Sequence, residues 1–226
     1  MKQFKRFRFT DLLIGMVFTL LFISLGVIFS INFRPLYYLD INLLKIQDSS
    51  GLSKEVILNN YNTLIDYCSP FFKGVLSFPT LTASKGGLQH FAEVKDIFVA
   101  FYYLVAISLP ICIYIVIYKA RKRDTSYLLT SSITVLIIPT IVGLLLALNF
   151  DTTFRIFHEL FFDNDYWLFD PDTDPVITIL PDTFFLHCAL LIIIIVFLGS
   201  LILFLFSHNK KKRNSIRHRK NKGLRF

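Results

Sequence analysis

The sequence predicts an all-α membrane protein with four transmembrane helices, and three observations carry that prediction. Residues 12–33, 97–118, 127–148 and 184–206 are apolar runs free of Asp, Glu, Lys and Arg. Each reaches the roughly 20 residues that one crossing of the hydrocarbon core requires. Charged residues make up 18% of the 226-residue chain, against about 25% in an ordinary soluble domain, and the mean hydropathy is +0.57. The third observation is how the basic residues are distributed about the ends of these runs, which gives every run a consistent direction.

The first run follows Lys2, Lys5, Arg6 and Arg8, as a secretory leader would. It is longer than a leader's apolar core, and Asn32-Phe33-Arg34-Pro35-Leu36 after it is no small-residue cleavage site, so it reads as a retained span. Pro110 and Pro139 fall inside the second and third runs. Within a membrane, neighbouring helices and local kinks re-satisfy the backbone groups that proline frees, so neither ends its helix.

Basic residues beside span ends mark the cytoplasmic side. Four lie in the N-terminal tail; Lys119, Arg121, Lys122 and Arg123 lie between spans two and three; nine lie between Lys210 and Arg225. Residues 149–183 carry a single base, Arg155, against eight acids. Both termini are therefore placed in the cytoplasm, with segments 34–96 and 149–183 forming a small extracellular cap and 207–226 a basic cytoplasmic tail. The whole reads as one integral membrane domain. The tail's charge suits the anionic inner leaflet of membrane phospholipid, and no nucleic-acid partner is expected.

Within the first outward segment, Val56, Ile57, Tyr61, Leu64 and Ile65 repeat at helical spacing over Ser53–Tyr67. A small cap follows from this, without a large core of its own; residues 71–79 read as a short strand or as apolar residues packed on lipid. From Leu88 the chain runs into span two with no breaker, so that helix is expected to begin early and project about 10 Å beyond the membrane. On the projection His90, Glu93, Val94 and Ile97 share a face, which positions Glu93 to accept a hydrogen bond from His90. In the second segment, a helix from about residue 150 places His158 with Phe154, Phe161 and Phe162, while Asp151, Arg155 and Glu159 lie four apart elsewhere. Trp167 suits the headgroup belt, and the Asp/Pro run 170–175 reads as exposed turns.

Few motifs carry chemistry. His158-Glu159 lacks the second His of a zinc protease, because position 162 is Phe. His90, His158 and Glu93 could supply three ligands, but without a spacing signature, and the aspartates of 163–174 lack the alternation and glycine of a calcium loop. No metal and no cofactor is expected. The three cysteines form no framework: Cys112 and Cys188 sit inside spans and Cys68 is alone in the first loop. His187, near the outer end of span four, reads as an interfacial residue bonded to a neighbouring helix. His90 and His158 remain, both just outside the hydrocarbon boundary, as a catalytic pair or as packing in aromatic-rich helices.

Two segments carry a family resemblance: Leu88–Phe98 (LQHFAEVKDIF), leading into span two, and Phe154–Trp167 (FRIFHELFFDNDYW), continuing through Phe169–Pro175 (FDPDTDP) and Leu180-Pro181. With four spans, the chain resembles the lipoprotein intramolecular transacylases of Gram-positive bacteria. The resemblance implies an acyltransferase that takes diacylated bacterial lipoproteins. It would move the sn-2 acyl chain of an S-diacylglyceryl cysteine to the α-amino group of the same cysteine, giving a lyso-form lipoprotein. It implies that His90 and His158 are catalytic. Glu93 stands where the family pattern has Asp and is expected to orient His90. His158, in an apolar setting, is expected as the base and His90 as an imidazolium donor, or the reverse. Arg155 is a candidate for the oxyanion and Arg34 for the substrate's polar head, or both are ordinary interfacial cations. The alternative is a non-catalytic membrane protein that senses or assists an envelope process through its cap.

Overall fold

The computed structural model describes the backbone of residues 8–223 and the side chains of residues 8–208. Lys2, Lys5, Arg6 and the basic side chains of Lys210–Arg225, on which the orientation partly rests, lie outside the described residues. Among the described residues eight α-helices follow one another: α1 (Phe9–Asn32), α2 (Arg34–Leu43), α3 (Ile46–Ser50), α4 (Lys54–Tyr67), α5 (Lys85–Arg121), α6 (Ser126–Leu148), α7 (Phe150–Phe161) and α8 (Asp182–Gly223), with a 3-10 helix at Pro175–Ile179. Among the described residues there is no strand, so the apolar residues of 71–79 form irregular chain. Four helices, α1, α5, α6 and α8 as far as His208, are long and apolar enough to cross a membrane. Both prolines lie inside their helices, as expected.

The chain forms two compact units. One comprises residues through Ser24, Leu104–Ile141 and Ile193 onward. Here small residues let helices approach closely, the packing mode that serves where lipid offers no hydrophobic driving force between helices. A Cβ added at Gly199 would come within 2.7 Å of the Phe22 ring. The Ser200 hydroxyl donates to the Ser132 carbonyl at 2.8 Å. Lys119 pairs with Asp11 at 3.5 Å and with Asp124 at 3.0 Å, and Arg8 reaches Asp124 at 3.0 Å. Ile133, Ile137 and Ile141 stand exposed four residues apart on α6, the stripe that a lipid-facing helix requires.

The other unit comprises Leu25–Tyr103 and Val142–Ile192. Contrary to expectation, this unit has a sizeable core beyond the apolar spans. The rings of Tyr37 on α2 and Tyr61 on α4 stack at 3.6 Å, and Phe184 meets both edge-on. Ile41, Ile46, Ile57, Val176 and Ile179 are shut from solvent around them. The polar groups that enter this core are satisfied. Tyr37 Oη donates to the Ile179 carbonyl at 2.6 Å. Asn60 Nδ2 donates to Thr80 Oγ1 at 2.6 Å, and its Oδ1 accepts from the N–H groups of Thr80 and Leu81, pinning the irregular chain to α4. The periodicity of residues 53–67 found α4 but not this core. Tyr37, Ile41, Ile46, Val176 and Ile179 come from α2, α3 and the 3-10 helix, which are too short to show a period.

Helix ends in this unit follow from side chains. Ser53 caps α4 by accepting from the Val56 N–H, and Asn149 caps α7 by accepting from the Thr152 N–H. His187 has the partner expected on a neighbouring helix: its Nδ1 lies 2.9 Å from both carboxylate oxygens of buried Asp40 on α2.

Ile57→Ala should therefore destabilise the protein by about 2–5 kcal/mol, the cost of a cavity in a closed core. Ile133→Ala, at a lipid-facing position, should change stability far less. Thermal unfolding of both variants in detergent or bilayer discs checks the contrast.

Candidate active site

The early start of α5 has a specific cause. The Ser84 hydroxyl accepts from the Gly87 N–H at 2.9 Å, a capping bond that satisfies one of the free donors of the first turn. The Ser84 N–H donates to Asp174 Oδ1 at 2.7 Å, and the Thr173 hydroxyl donates to Oδ2 at 2.8 Å. Asp174 is 3% exposed, so this member of the Asp/Pro run is a buried anchor and not the exposed turn residue expected. Gly87 makes room for it. A Cβ at position 87 would lie 2.2 Å from Asp174 Oδ1 and 3.1 Å from the Phe169 ring.

His90 follows one turn later and is 4% exposed. Its ring lies 4.7 Å from Phe162, 5.5 Å from Phe169 and 5.9 Å from the ring of His158. His158 sits on α7 between Phe154 at 4.2 Å and Trp167, which stacks on it at 4.8 Å. Phe162 forms a wall common to both imidazoles. The two sequence-distant histidines are thus brought together in an aromatic setting. Trp167, read from the sequence as a headgroup residue, packs on one of them.

The nitrogen atoms are distinguishable. His158 Nδ1 lies 2.8 Å from the Phe154 carbonyl oxygen. A carbonyl only accepts, so Nδ1 carries the proton and Nε2 is left with its lone pair. His90 Nδ1 is buried and meets no protein hydrogen-bonding group. Burial pushes the His90 imidazole down to about 4, helped by the neighbouring His158 and opposed by the Glu93 charge. Burial also lowers His158, against the opposing influence of the Phe154 carbonyl and Asp182. Both rings are therefore neutral near pH 7.

The expectation of an imidazolium at position 90 is corrected by this. Desolvation of the charged ring outweighs the carboxylate one turn away.

Glu93 does not bond His90. Its Oε1 accepts from Gln89 Nε2 at 3.1 Å, and both oxygens accept from Asn164 Nδ2 at 3.2 and 3.1 Å. The carboxylate stays on the side where amide donors are available; turning to the buried ring would desolvate its charge among phenylalanines. Among the described residues no three His, Cys, Asp or Glu side chains converge as metal ligands. Arg155 is exposed and pairs loosely with Glu159 at 3.8 Å. Arg34, at the start of α2, donates to Asn62 at 2.9 Å and pairs with Asp66. Neither arginine is hydrogen-bonded to an imidazole. Phe162, placed with His158 by helical spacing, is joined in the site by Asn164, Phe169 and Asp174, which were not singled out from the sequence. These three belong to a segment without regular periodicity, where no spacing marks one residue above its neighbours.

The family model described as lipoprotein intramolecular transacylase Lit matches residues 12–185. Among solved structures, the membrane integral lipoprotein intramolecular transacylase Lit from Bacillus cereus, determined in meso, is similar at a TM-score of 0.86 and 36% identity, covering 92% of this chain and 98% of that one. Two variants of that protein, with a histidine replaced by arginine or by alanine, each give a TM-score of 0.81 at 35% identity, covering 92% of this chain and 95% and 96% of theirs. No curated protein matches.

Two outcomes follow from the geometry. Gly87→Ala should cost about 1–3 kcal/mol by overpacking. Adding Asp174→Ala should cost less than the sum of the two single changes, because the clash and the anchor share one carboxylate; a double-mutant cycle of unfolding free energies checks it. The second outcome concerns pH. As pH falls from 6.5, the unfolded chain takes up a proton at His90 before the folded one does, whose imidazole sits at about 4. Stability is full above about pH 6.5 and declines as pH falls through that window. The unfolding midpoint should drop between pH 7 and pH 4.5, and drop less in His90→Phe.

Proposed function

The chain belongs to the lipoprotein intramolecular transacylase family Lit, and from that premise we propose that His90 and His158 catalyse transfer of the sn-2 acyl chain of an S-diacylglyceryl cysteine to the α-amino group of the same cysteine. As a lipoprotein intramolecular transacylase it acts where ester and amine belong to one molecule, so the substrate itself supplies the proximity that a bimolecular reaction lacks. The observation that carries the histidine assignment is the pair of neutral, buried imidazoles 5.9 Å apart, one with its tautomer fixed by a backbone carbonyl.

In this reading the amine nitrogen attacks the ester carbonyl carbon, and His158 Nε2 takes the proton that nitrogen loses. The carbonyl π electrons move to oxygen, and a neutral His90 donates a hydrogen bond to that oxyanion. Collapse re-forms the carbonyl and breaks the bond to the glycerol oxygen. That oxygen takes the proton back from His158, leaving an amide and a free glyceryl hydroxyl. The same imidazole serves as base and then acid, so no net proton is consumed. An α-amine near 8 and an imidazole at or below 6.5 are close enough for the transfer. The reading assigns no step to Arg155 or Arg34, whose polar contacts go to Glu159 and to Asn62 and Asp66.

The charge asymmetry of the sequence supports cytoplasmic termini and a site on the extracellular face. Acyl chains would remain in membrane phospholipid while the lipidated cysteine reaches the imidazoles. Mass spectrometry of a lipoprotein's N-terminal peptide, from a bacterial host carrying the unmodified chain, His158→Ala or neither, tests the proposal. An N-acyl, S-monoacylglyceryl cysteine should appear with the unmodified chain alone. The same product with His158→Ala would remove that residue from the mechanism. Unchanged diacylglyceryl cysteine with the folded, membrane-inserted protein would favour a non-catalytic envelope role.

A further inference from the structure

Glu93 does not hold His90, which leaves its charge to be accounted for. Its hydrogen-bond partners, Gln89 and Asn164, are both uncharged amides. Among the described residues, no cation pairs with it. Amide donors orient a carboxylate but leave it negative, and two NH2 groups do not use up its lone-pair sites. Gln89 shares the helix with it, and Asn164 is itself locked by accepting from the Tyr166 N–H at 3.1 Å. Glu93 is thus a half-buried anion in a fixed position.

That anion lines an open pocket of about 480 Å³, together with Lys85, Gly86, Gln89 and Tyr166. The pocket runs along α5 over the two turns that bear His90. Residues three apart on a helix have Cβ atoms about 5–6 Å apart, and the Glu93 charge acts on His90, although neither imidazole itself lines the pocket. Lys85, the first residue of α5, is exposed and makes no salt bridge with Glu93. It and the Tyr166 hydroxyl are donors, and the carboxylate is the only acidic group of the lining.

We propose that Glu93 receives the α-ammonium of the lipoprotein's terminal cysteine, and that the pocket beside it admits the first peptide units of the lipoprotein chain. The inference rests on the transacylase reading of the site and names how that site selects its substrate. An α-amine is largely protonated at pH 7, and two neutral imidazoles in an aromatic setting offer an ammonium nothing opposite in charge. A carboxylate one turn from His90 supplies the missing charge and holds the ammonium in its resting form; the ammonium's extra proton leaves to solvent through the open pocket, and the neutral amine then loses a single proton to His158 as it attacks. Lys85 and Tyr166 then present donors to the peptide carbonyl that follows.

The test measures binding apart from turnover. His158→Ala protein, full length in bilayer discs, is titrated with a synthetic S-diacylglyceryl cysteinyl peptide and with the same peptide acetylated on nitrogen. The free amine should bind about tenfold more tightly, the scale of one charge-assisted contact. Adding Glu93→Gln should erase that preference while leaving affinity for the acetylated peptide unchanged. Glu93→Asp should retain part of the preference, which separates loss of charge from loss of fold. Equal affinity for the two peptides in the parent, or a preference that survives Glu93→Gln, would overturn the proposal. Failure of the unmodified chain to form N-acyl product would strike the catalytic reading instead, and is read by mass spectrometry on the same peptide.

Discussion

The carboxylate of Asp174 is the constraint on which the arrangement around the two histidines depends. It is buried, accepts from the backbone at the start of α5, and occupies space that any side chain at position 87 would fill. One contact therefore fixes where α5 begins, how closely the segment after α7 approaches it, and hence where Phe169 packs. Phe169 stacks on Phe91 at 5.3 Å and forms one edge of the cage around His90. The buried anion is tolerable because each oxygen has a donor, the condition under which a desolvated carboxylate is stable. Asn164 on Glu93 provides a second tie between the same two segments. The helix that carries His90 is thus held at two points by the loop that continues from the helix carrying His158.

Aromatic enclosure of the imidazoles has an electrostatic consequence. Removing a histidine from water favours its neutral form, and two such rings side by side each oppose protonation of the other. A site built this way keeps both bases free at neutral pH without a carboxylate bonded to either. The Phe154 carbonyl replaces the carboxylate that commonly orients a catalytic histidine. It fixes the tautomer of His158 as firmly as an acid would, but brings only a dipole and raises basicity less. The arrangement suits a substrate amine whose own affinity for protons is already modest.

Different parts of this molecule were legible in the sequence to different degrees, and the differences are physical. Membrane spans declare themselves because lipid demands about 20 uninterrupted apolar residues, so α1, α5, α6 and α8 were visible as runs. The projection of α5 and the existence of α7 followed from unbroken helical spacing, and placing His90 and His158 outside the spans followed with them. What escaped was decided by contacts across the chain. Tyr37 stacking on Tyr61, Asp40 on His187 and Asp174 on Ser84 join residues from 24 to 147 positions apart. Glu93 shows how local reasoning misleads: helical spacing correctly put it near His90, but the donors it uses are Gln89 and Asn164, the latter 71 residues away.

The cysteines bear on the kind of chemistry available. Transfer of an acyl chain through an enzyme thiol would require a thiolate near the imidazoles. Cys68, the one cysteine outside the spans, is buried in the core at the C-terminal end of α4, and burial pushes its thiol up to about 12 with only partial relief from Lys95. At neutral pH almost none of it is thiolate, which is the nucleophilic form. Lys95 itself is occupied, donating to the Phe72 carbonyl at 3.0 Å with its ammonium over the Tyr67 ring. A route with no acyl-enzyme fits these surroundings. Under the proposed mechanism the substrate's own amine is the nucleophile once its ammonium proton has gone to solvent, and the remaining proton passes through a single imidazole. What the protein must supply is then a dry, fixed pair of neutral rings and a means of holding an ammonium beside them, and the environment of His90, His158 and Glu93 has the chemistry for both.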